Sequence, residues 1–305
     1  MYELVIIGGG PAGVSAGIYA ARKKIKVILV ADSFGGQSTV SGNIHNWIGT
    51  KVIPGWELAK NLEEHLRSQE GIEILEDKVS EISKKNGEFL LKTISGKEIT
   101  AKTILVCAGG KHRHLNVPGE DKFIGKGVAF CATCDAPLFK GKDVAVIGSG
   151  NAGLEAVIDL SAYASKIYLL ECDNEVKGDP ATYDEVLKNS KTEVIFNAKI
   201  KEILGDNFVT GLKYEDKKSG EEKELAVSGV FVEIGMTPNS EIVRDLVNLN
   251  ERREIIVDYS TGKTSFPGIW AAGDITDSHY KQNTIAAGDA ARAVLDIYSH
   301  LREGK

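Results

Sequence analysis

The sequence predicts an α/β protein built from two Rossmann-like three-layer domains, the second inserted into the first. Three observations lead to this prediction. The chain of 305 residues is longer than one ordinary core needs and suits two domains of roughly 100 to 200 residues. A strand, glycine loop, helix, strand pattern occurs twice. A glycine-flanked segment near the C-terminus then returns to the first domain. We place the first domain at 1–113 and 243–305 and the second at 114–242.

The first copy of the repeat runs from Leu4 to Asp32. Four apolar residues predict a buried parallel strand, and small and apolar residues after the glycines predict a helix that leads to a second apolar strand. The second copy, from Val144 to Asp173, has the same order. The glycines in the two loops are Gly8, Gly10 and Gly13, and then Gly148, Gly150 and Gly153.

These glycines indicate two dinucleotide sites. A lone G-x-G-x-x-G motif is weak, but here each has the required strand before it and helix after it. Glycine lets the backbone approach a pyrophosphate at a helix N-terminus, where unpaired N–H groups and the helix dipole favour negative charge. The alternative is a tight turn in an empty α/β domain, which is a poor explanation for both loops together.

Two further segments end on glycine turns. An apolar strand from Thr103 runs into Ala108, Gly109 and Gly110, and Ala271-Ala272-Gly273-Asp274 brings one carboxylate onto a turn before the helical stretch 284–301. We expect Asp274 to bind a polyol. Because this segment follows the second repeat yet completes the first site, we infer that the second domain is inserted.

Composition argues against several function classes. Hydrophobic residues make up 42% of the chain, charged residues 26%, and the formal net charge is −6, so no electrostatic attraction to nucleic acid or anionic membrane is expected. No basic and apolar leader pattern and no apolar run of about 18 residues is present. We expect a cytoplasmic protein.

Four cysteines occur, and two of them form the motif Cys131-Ala132-Thr133-Cys134. In a reducing compartment such a pair is redox-active or metal-binding rather than structural. A zinc site needs about two more ligands, and no second C-x-x-C or H-x3-H follows, so no metal is expected. We interpret the pair as a catalytic disulfide, with Asp135 exchanging its proton if the site raises the pKa of that carboxyl. Cys107 and Cys172, at the ends of apolar runs, are expected to be buried.

Glu171 ends the second strand of the second repeat, about 20 residues after its glycine loop. A carboxylate at this place accepts both ribose hydroxyls of NADH and repels the 2'-phosphate of NADPH. We therefore predict that NADH is preferred and NADPH is less effective, although Lys177 can soften the repulsion. The alternative is a solvated acidic strand end. In the first repeat the matching position is Ala31, and the acid comes one residue later, as Asp32.

The chain resembles the low-molecular-weight thioredoxin reductases and, more closely, the flavoprotein subunit of alkyl hydroperoxide reductase. The resemblance covers nearly all of the chain. The motifs that carry it are Gly8-Gly9-Gly10-Pro11-Ala12-Gly13, Gly35-Gly36-Gln37, Asn46-Trp47, Asn116-Val117-Pro118-Gly119-Glu120, Cys131 to Asp135, Pro137 to Lys142, Ala271 to Asp274, and Tyr280-Lys281-Gln282.

This resemblance implies an FAD-binding first domain and an NAD(P)H-binding second domain that carries the dithiol. The FAD residues implied are Gly8, Gly10, Pro11, Ala12 and Gly13 at the pyrophosphate, Asp32, Gly36, Gln37, Asn46, Ala108, Gly109, Gly273, Asp274 at the ribityl chain, Lys281, and Gln282 beside the ring. The nicotinamide dinucleotide residues implied are Gly148, Gly150, Asn151, Ala152, Gly153 and Glu171.

The resemblance also implies an activity, a partner and an assembly. Cys134 would face the flavin and open the disulfide of a thioredoxin-like or glutaredoxin-like protein, while Cys131 resolves the mixed disulfide. A homodimer is expected. Two departures stand out: the chain begins directly with the FAD strand, so electrons are expected to leave for a separate protein, and Ala136 replaces the family's usual glycine.

Three alternatives remain open. The first is a flavoprotein fed by ferredoxin, the second is a flavoprotein redox sensor without turnover, and the third is a peroxide-forming NADH oxidase that does not need Cys134.

Overall fold

The computed structural model describes residues 1–41, 43–85 and 87–303. Contacts divide the chain into two compact units. The first unit contains Met1–Thr39, Trp47–Lys111 and the chain from Thr237 onward, and the second contains Val40–Asn46 and His112–Met236. The chain therefore passes between the units a few residues before the positions expected from sequence. The grouping of 40–46 with the second unit had no sequence signal.

The helices and strands of the first unit follow the predicted repeat and then a three-stranded meander. In chain order they are β1 (Tyr2–Ile7), α1 (Pro11–Arg22), β2 (Val27–Ala31), β4 (Ile53–Pro54), α2 (Gly55–Arg67), β5 (Ile72–Glu76), β6 (Val79–Lys85), β7 (Glu88–Thr93), β8 (Glu98–Val106), β19 (Ile269–Ala271) and α6 (Asn283–Glu303). The short strand β3 (Asn43–Ile44) groups with the second unit.

The main sheet of the first unit has the order β5-β2-β1-β8-β7-β6, and β19 also pairs with β8. Strands β2, β1, β8 and β19 run parallel, so their carboxyl ends share one edge. Leu4 and Ile6 of β1 face the layer of α1 and α6, while Val5 and Ile7 face the opposite layer. Each buried Leu, Ile or Val contributes about 1.5–3 kcal/mol by leaving water, which explains the continuous apolar strands.

The second unit begins near the first passage between units, where β9 (Gly110–His112) lies, and ends near β18 (Met236–Pro238). Its other helices and strands are β10 (Val128–Ala129), α3 (Ala132–Asp135), β11 (Asp143–Ile147), α4 (Asn151–Ser161), β12 (Lys166–Leu170), α5 (Pro180–Lys188), β13 (Thr192–Ile195), β14 (Ala198–Gly205), β15 (Val209–Asp216), β16 (Glu222–Ala226) and β17 (Gly229–Val232).

A parallel sheet of order β10-β17-β11-β12-β13 forms the middle layer of the second unit. One face packs Val144 and Val146 against Leu154 and Val157 of α4. The other face packs against the antiparallel sheet β14-β15-β16. The predicted fold class, two three-layer α/β domains with one inserted in the other, is confirmed.

The two cysteines outside the disulfide differ in their exposure to solvent. Cys107 is buried as expected, but Cys172 is exposed, so that prediction was wrong. The reason is that β12 ends at Leu170, which leaves Cys172 beyond the sheet.

None of the helices in the described part of the chain is long and apolar enough to cross a membrane.

Candidate functional site

The second unit carries a disulfide between Cys131 and Cys134, with 5.3 Å between their Cα atoms. Cys131 caps the short helix α3, and the backbone N–H of Cys134 donates to Cys131 Sγ at 3.2 Å. The side-chain amide of Asn46 donates to Cys134 Sγ at 3.7 Å. Asn46, expected at the flavin, therefore contacts the sulfur pair in this structure.

Asp135 follows the second sulfur directly. Its backbone N–H donates to the carbonyl of Cys131 at 3.1 Å, which closes the turn. Burial raises the pKa of the Asp135 carboxyl from 3.8 to about 6, because removal of water disfavours the charged form. The carboxyl can therefore be protonated or ionised near neutral pH, which is the condition that a proton-exchange role requires.

Ala136, which stands where the resembling family has glycine, has φ −50° and ψ −40°. This is ordinary right-handed helical backbone, so alanine causes no strain. Its methyl group, like that of Ala132, is buried in the core that includes Leu154 and Val157 of α4. The departure from the family pattern thus fits the turn and packs it against α4.

The glycine loop of the second unit connects β11 to α4. Gly148 has φ +105°, and a Cβ there would lie 2.7 Å from the carbonyl oxygen of Glu233. A Cβ on Gly153 would lie 1.9 Å from the Gly148 carbonyl oxygen. Gly150 caps α4 and has open space on its Cβ side, and Asn151 and Ala152 are exposed in the first helical turn. The loop leaves the N-terminus of α4 open to an anion.

Glu171 lies one residue beyond β12, and only 4% of its surface is exposed. Its Oε2 accepts from the backbone N–H of Ser149 at 3.0 Å and from its hydroxyl at 2.6 Å, and its Oε1 accepts from the N–H of Asp173. Burial by itself raises the pKa of Glu171, but these hydrogen bonds and Lys177 lower it overall. The carboxylate is therefore ionised and fixed to the glycine loop.

Two lysines partly balance the negative charge at this strand end. Lys177 Nζ lies 3.4 Å from Glu171 and 2.7 Å from Asp173, and Lys217 Nζ lies 3.5 Å from Asp173. Lys177 lies where the sequence analysis expected a compensating charge.

In the first unit, the loop between β1 and α1 has the same construction. Gly8 has φ +115°, and a Cβ there would lie 2.3 Å from the Cys107 carbonyl oxygen. A Cβ on Gly13 would lie 1.8 Å from the Gly8 carbonyl oxygen. Gly10 caps α1, and Pro11 and Ala12 form its buried first turn. Gly36 has φ +53° and approaches Gly10, since its Cβ would lie 3.2 Å from Gly10 Cα.

The next contacts in this unit involve the glycine turn after β8. Gln37 Nε2 donates to the Gly110 carbonyl at 3.0 Å. Asn239, which the sequence analysis missed, donates its side-chain amide to the Ala108 carbonyl at 2.7 Å and its backbone N–H to the Gly109 carbonyl at 2.9 Å. Asn239 therefore fixes the two residues that the prediction assigned to the cofactor.

Asp274 follows the turn after β19. Gly273 has φ +79°, and a Cβ there would lie 3.1 Å from Ala12 Cβ and 3.2 Å from Ala286 Cβ. The absent side chain lets this turn approach α1 and α6. Burial raises the pKa of Asp274, with Lys281 acting in the opposite direction. A partly desolvated carboxyl of this kind suits hydroxyl donors such as a polyol.

The other residues of this unit that were predicted to bind the cofactor are Lys281, Gln282 and Asp32. Lys281 Nζ pairs with Glu254 at 3.0 Å and donates to the Thr276 carbonyl, so it is engaged within the protein. The backbone carbonyl of Gln282 accepts from Ala286 at 2.9 Å at the start of α6. Asp32 is exposed beyond β2.

The structure adds Glu233, which sequence reasoning missed. It follows β17, and burial raises the pKa of its carboxyl to about 8, with Asp159, Glu155 and Asp135 acting in the same direction. The available sequence signal was an apolar strand ending in an acid and a glycine, Val230 to Gly235, a pattern similar to that around Asp274. The described residues contain no cluster of three or more His, Cys, Asp or Glu side chains that could hold a metal ion.

Comparisons with known proteins agree with this arrangement. A family model described as pyridine nucleotide-disulphide oxidoreductase matches residues 2–291. A Bacillus subtilis protein named NADH dehydrogenase is 43% identical over 98% of this chain and 58% of its own length. The F subunit of alkyl hydroperoxide reductase from Staphylococcus aureus is 41% identical over 98% of this chain and 59% of its own length. The chain thus spans less than two thirds of these two relatives.

Similarity to a solved structure extends over the full length. The crystal structure of thioredoxin reductase from Streptococcus pyogenes superposes with a TM-score of 0.93 at 33% identity, covering 100% of this chain and 99% of that one. The resemblance expected from the motifs is confirmed.

Proposed function

The chain belongs to the pyridine nucleotide-disulphide oxidoreductase family, and from this premise we propose that it is an FAD-dependent NAD(P)H:disulfide oxidoreductase of the thioredoxin reductase type. Electrons would pass from NADH through FAD to the Cys131–Cys134 disulfide and on to a thioredoxin-like or glutaredoxin-like protein. The observation that carries this proposal is the disulfide on a turn packed against α4, beside a carboxyl whose pKa is raised to about 6.

The first unit fits FAD. The N-terminus of α1, bordered by Gly10 and Gly36, offers free N–H groups to a pyrophosphate, and the half-buried Asp274 offers a carboxyl to a ribityl hydroxyl. Gln37 and the Ala108–Gly109 turn complete the proposed site. Bound FAD supplies two-electron transfer between a nicotinamide and a disulfide.

The chain's own residues account for the thiol chemistry. Reduction of the disulfide yields two thiol groups and consumes two electrons and two protons, one of which Asp135 can deliver. We propose that the Cys134 thiolate then attacks the partner's disulfide, releasing one partner thiol. The Cys131 thiolate attacks the mixed disulfide, which frees the second partner thiol and restores the Cys131–Cys134 bond. Both electrons therefore end on the partner protein.

The proposed donor is NADH, with NADPH less effective. Glu171 is ionised and hydrogen-bonded to the glycine loop, so a 2'-phosphate would meet a fixed negative charge. Juxtaposed like charges cost several kcal/mol. Lys177 and Lys217 reduce this penalty, so discrimination against NADPH is expected to be strong but incomplete. We also propose a homodimer, on the resemblance to low-molecular-weight thioredoxin reductases.

The decisive experiment is an anaerobic titration of the purified flavoprotein with NADH and NADPH in parallel, followed by addition of candidate thioredoxins. We expect NADH to bleach the flavin and a thioredoxin-like protein to restore its absorbance. Failure of NADH to bleach the flavin would favour a ferredoxin-fed enzyme. If NADH bleaches the flavin but no protein disulfide restores its absorbance, a redox sensor is favoured.

A second candidate is an NADH oxidase that delivers electrons to oxygen, because one relative is named NADH dehydrogenase. This activity does not require the sulfur pair. NADH consumption by wild type and Cys134→Ser, each with and without a thioredoxin-like protein, separates the two functions. Aerobic consumption that the protein acceptor does not increase in either form supports the oxidase, whereas consumption that the acceptor increases in wild type and not in the variant supports the reductase.

A further inference from the structure

The disulfide loop is attached to α4 by apolar packing and by a hydrogen bond. Ala132, the first residue between the sulfurs, is buried in the core that contains Leu154 and Val157 of that helix. Thr133, the second residue between the sulfurs, is exposed, and its hydroxyl donates to Asp159 Oδ2 at 2.8 Å. Asp159 therefore holds the exposed side of the loop.

Asp159 lies on a rigid support. The helix α4 runs over Asn151–Ser161, and its inner face, which includes Leu154, Val157 and Leu160, is fully buried in the core beside the parallel sheet. The position of the acceptor oxygen is therefore set by a packed helix within the second unit.

The disulfide loop has little structure of its own. The helix α3 is a single turn, Ala132–Asp135, and so short a helix is not stable alone, because its nucleation fixes several dihedral angles for few hydrogen bonds. In the disulfide form, the bond between Cys131 and Cys134 closes this turn covalently. Reduction removes that closure, so the contacts with α4 must then keep the two thiols adjacent.

We propose that Asp159 is a positioning residue for the dithiol: through the Thr133 hydroxyl it keeps the turn closed and holds Cys131 within reach of a mixed disulfide on Cys134. In this resolving step the Cys131 thiolate attacks Cys134 Sγ, the bond from that sulfur to the partner breaks, and the partner's thiolate leaves. Adjacent placement of the reacting sulfurs favours the step. The inference rests on the function proposed above, and Asp159 is not assigned contact with substrate.

The test reproduces the resolving step with glutathione as the partner thiol. The complete protein, with the exposed Cys172 replaced by serine in every form, is equilibrated without oxygen in reduced and oxidised glutathione, then quenched with acid and alkylated. Mass mapping gives the ratio of the closed Cys131–Cys134 disulfide to the mixed disulfide with glutathione. At a fixed concentration of reduced glutathione, this ratio is proportional to the equilibrium constant for ring closure.

Thr133→Val removes the donor of the hydrogen bond, and Asp159→Ala removes the acceptor. The closed disulfide always holds the turn in place for this bond, whereas the mixed disulfide does so for only part of the time, so loss of the bond disfavours closure. We expect the ratio to fall about fivefold in each variant, the size of one net hydrogen bond. Thr133→Ser and Asp159→Asn keep a donor and an acceptor. These matched controls should remain within about twofold of the starting protein.

The double variant Thr133→Val/Asp159→Ala tests whether the two residues act through each other. If they do, the double variant should lose no more than either single variant, about fivefold. A loss near the product of the two, about twenty-fivefold, would overturn the inference. So would an unchanged ratio in both single variants, or an equal loss in Asp159→Asn and Asp159→Ala.

The test does not depend on a single variant or on turnover. Thr133 is exposed, so Thr133→Val and Thr133→Ser decide the matter even if Asp159→Ala does not fold. The glutathione measurement needs neither NADH nor a partner protein. It therefore separates failure of this inference from failure of the proposed reductase function, which would show as absent turnover with thioredoxin-like proteins in wild type.

Discussion

The hydroxyl of Ser149 donates a 2.6 Å hydrogen bond to Glu171 Oε2, which joins the glycine loop to the strand end that follows the next helix. The two residues are buried. The carboxylate is thus presented as a fixed charge and not as a mobile surface group. This geometry makes Glu171 the natural place to test donor selection.

Replacing Glu171 with glutamine should reduce the preference for NADH. The amide keeps an oxygen for Ser149 but removes the charge that a 2'-phosphate would meet. We expect the ratio of kcat/KM for NADH to that for NADPH to fall about tenfold or more, measured in steady state with both donors. Glu175→Gln, an exposed acid four residues away, is the matched control. An unchanged ratio in Glu171→Gln would show that this carboxylate does not select the donor.

Replacing either Cys131 or Cys134 with serine should abolish protein disulfide reduction and preserve flavin reduction by NADH. Without the pair no thiolate can carry electrons to the partner. Stopped-flow absorbance gives flavin reduction, and a coupled disulfide assay gives turnover. Cys172→Ser changes the exposed free thiol and should behave as wild type. Retention of protein reduction by Cys134→Ser would remove the dithiol from the pathway.

Asp135 should impose a pH dependence on the disulfide half-reaction. Its pKa is raised to about 6, so the protonated form that delivers a proton disappears as pH rises through 6. We expect the rate of disulfide reduction to decline through this range in wild type. In Asp135→Asn the inflection should be absent and the rate lower by about tenfold or more. An inflection that persists in the variant would assign it to another group.

The same carboxyl should affect stability, with a definite sign. The folded pKa lies above the ordinary value of 3.8, so the native state binds more protons than the unfolded state between pH 4 and 6. Stability contributed by this group is therefore present at low pH and falls as pH rises towards 6. At pH 7 Asp135→Asn should be more stable than wild type by on the order of 1 kcal/mol, measured by denaturant unfolding. A variant less stable than wild type at pH 7 would contradict this.

Two glycines of the second loop should respond differently to alanine. A Cβ at Gly150 meets open space, whereas one at Gly153 would lie 1.9 Å from the Gly148 carbonyl oxygen. Gly150→Ala should fold with a stability change below about 1 kcal/mol but raise the KM for NADH, because the methyl group occupies the approach to the helix N-terminus. Gly153→Ala should lose about 1–3 kcal/mol of stability. Thermal unfolding and donor titration distinguish the variants, and equal unfolding temperatures would refute the packing argument.

The parts of the candidate site that can be predicted from the sequence are those that depend on a local pattern of residues. Glycines between a strand and a helix are visible as a motif, and so is the spacing of Cys131 and Cys134. Glu171 was found because the strand–helix–strand unit has a regular length. These features are encoded in neighbouring residues, and the structure has the same loops and strand ends.

The features that sequence reasoning missed depend on contacts between distant segments. Glu233 is about a hundred residues from Asp135 in the chain, and only the folded sheet brings it close enough for Asp135 to raise the pKa of its carboxyl. Asn239 reaches Ala108 in the same way. Cys172 was misjudged because it was assigned to the apolar run that ends at Leu170, although the charged Glu171 separates the two and β12 stops before it.

The double hydrogen bond of Asn239 to Ala108 and Gly109 has an architectural consequence. The chain leaves for the inserted domain just after Gly109 and returns just before Asn239. The points of departure and return are therefore adjacent, and these two hydrogen bonds hold them together. A shortened chain in which a tight turn replaces the inserted domain should still fold the first domain around its own sheet and bind a flavin.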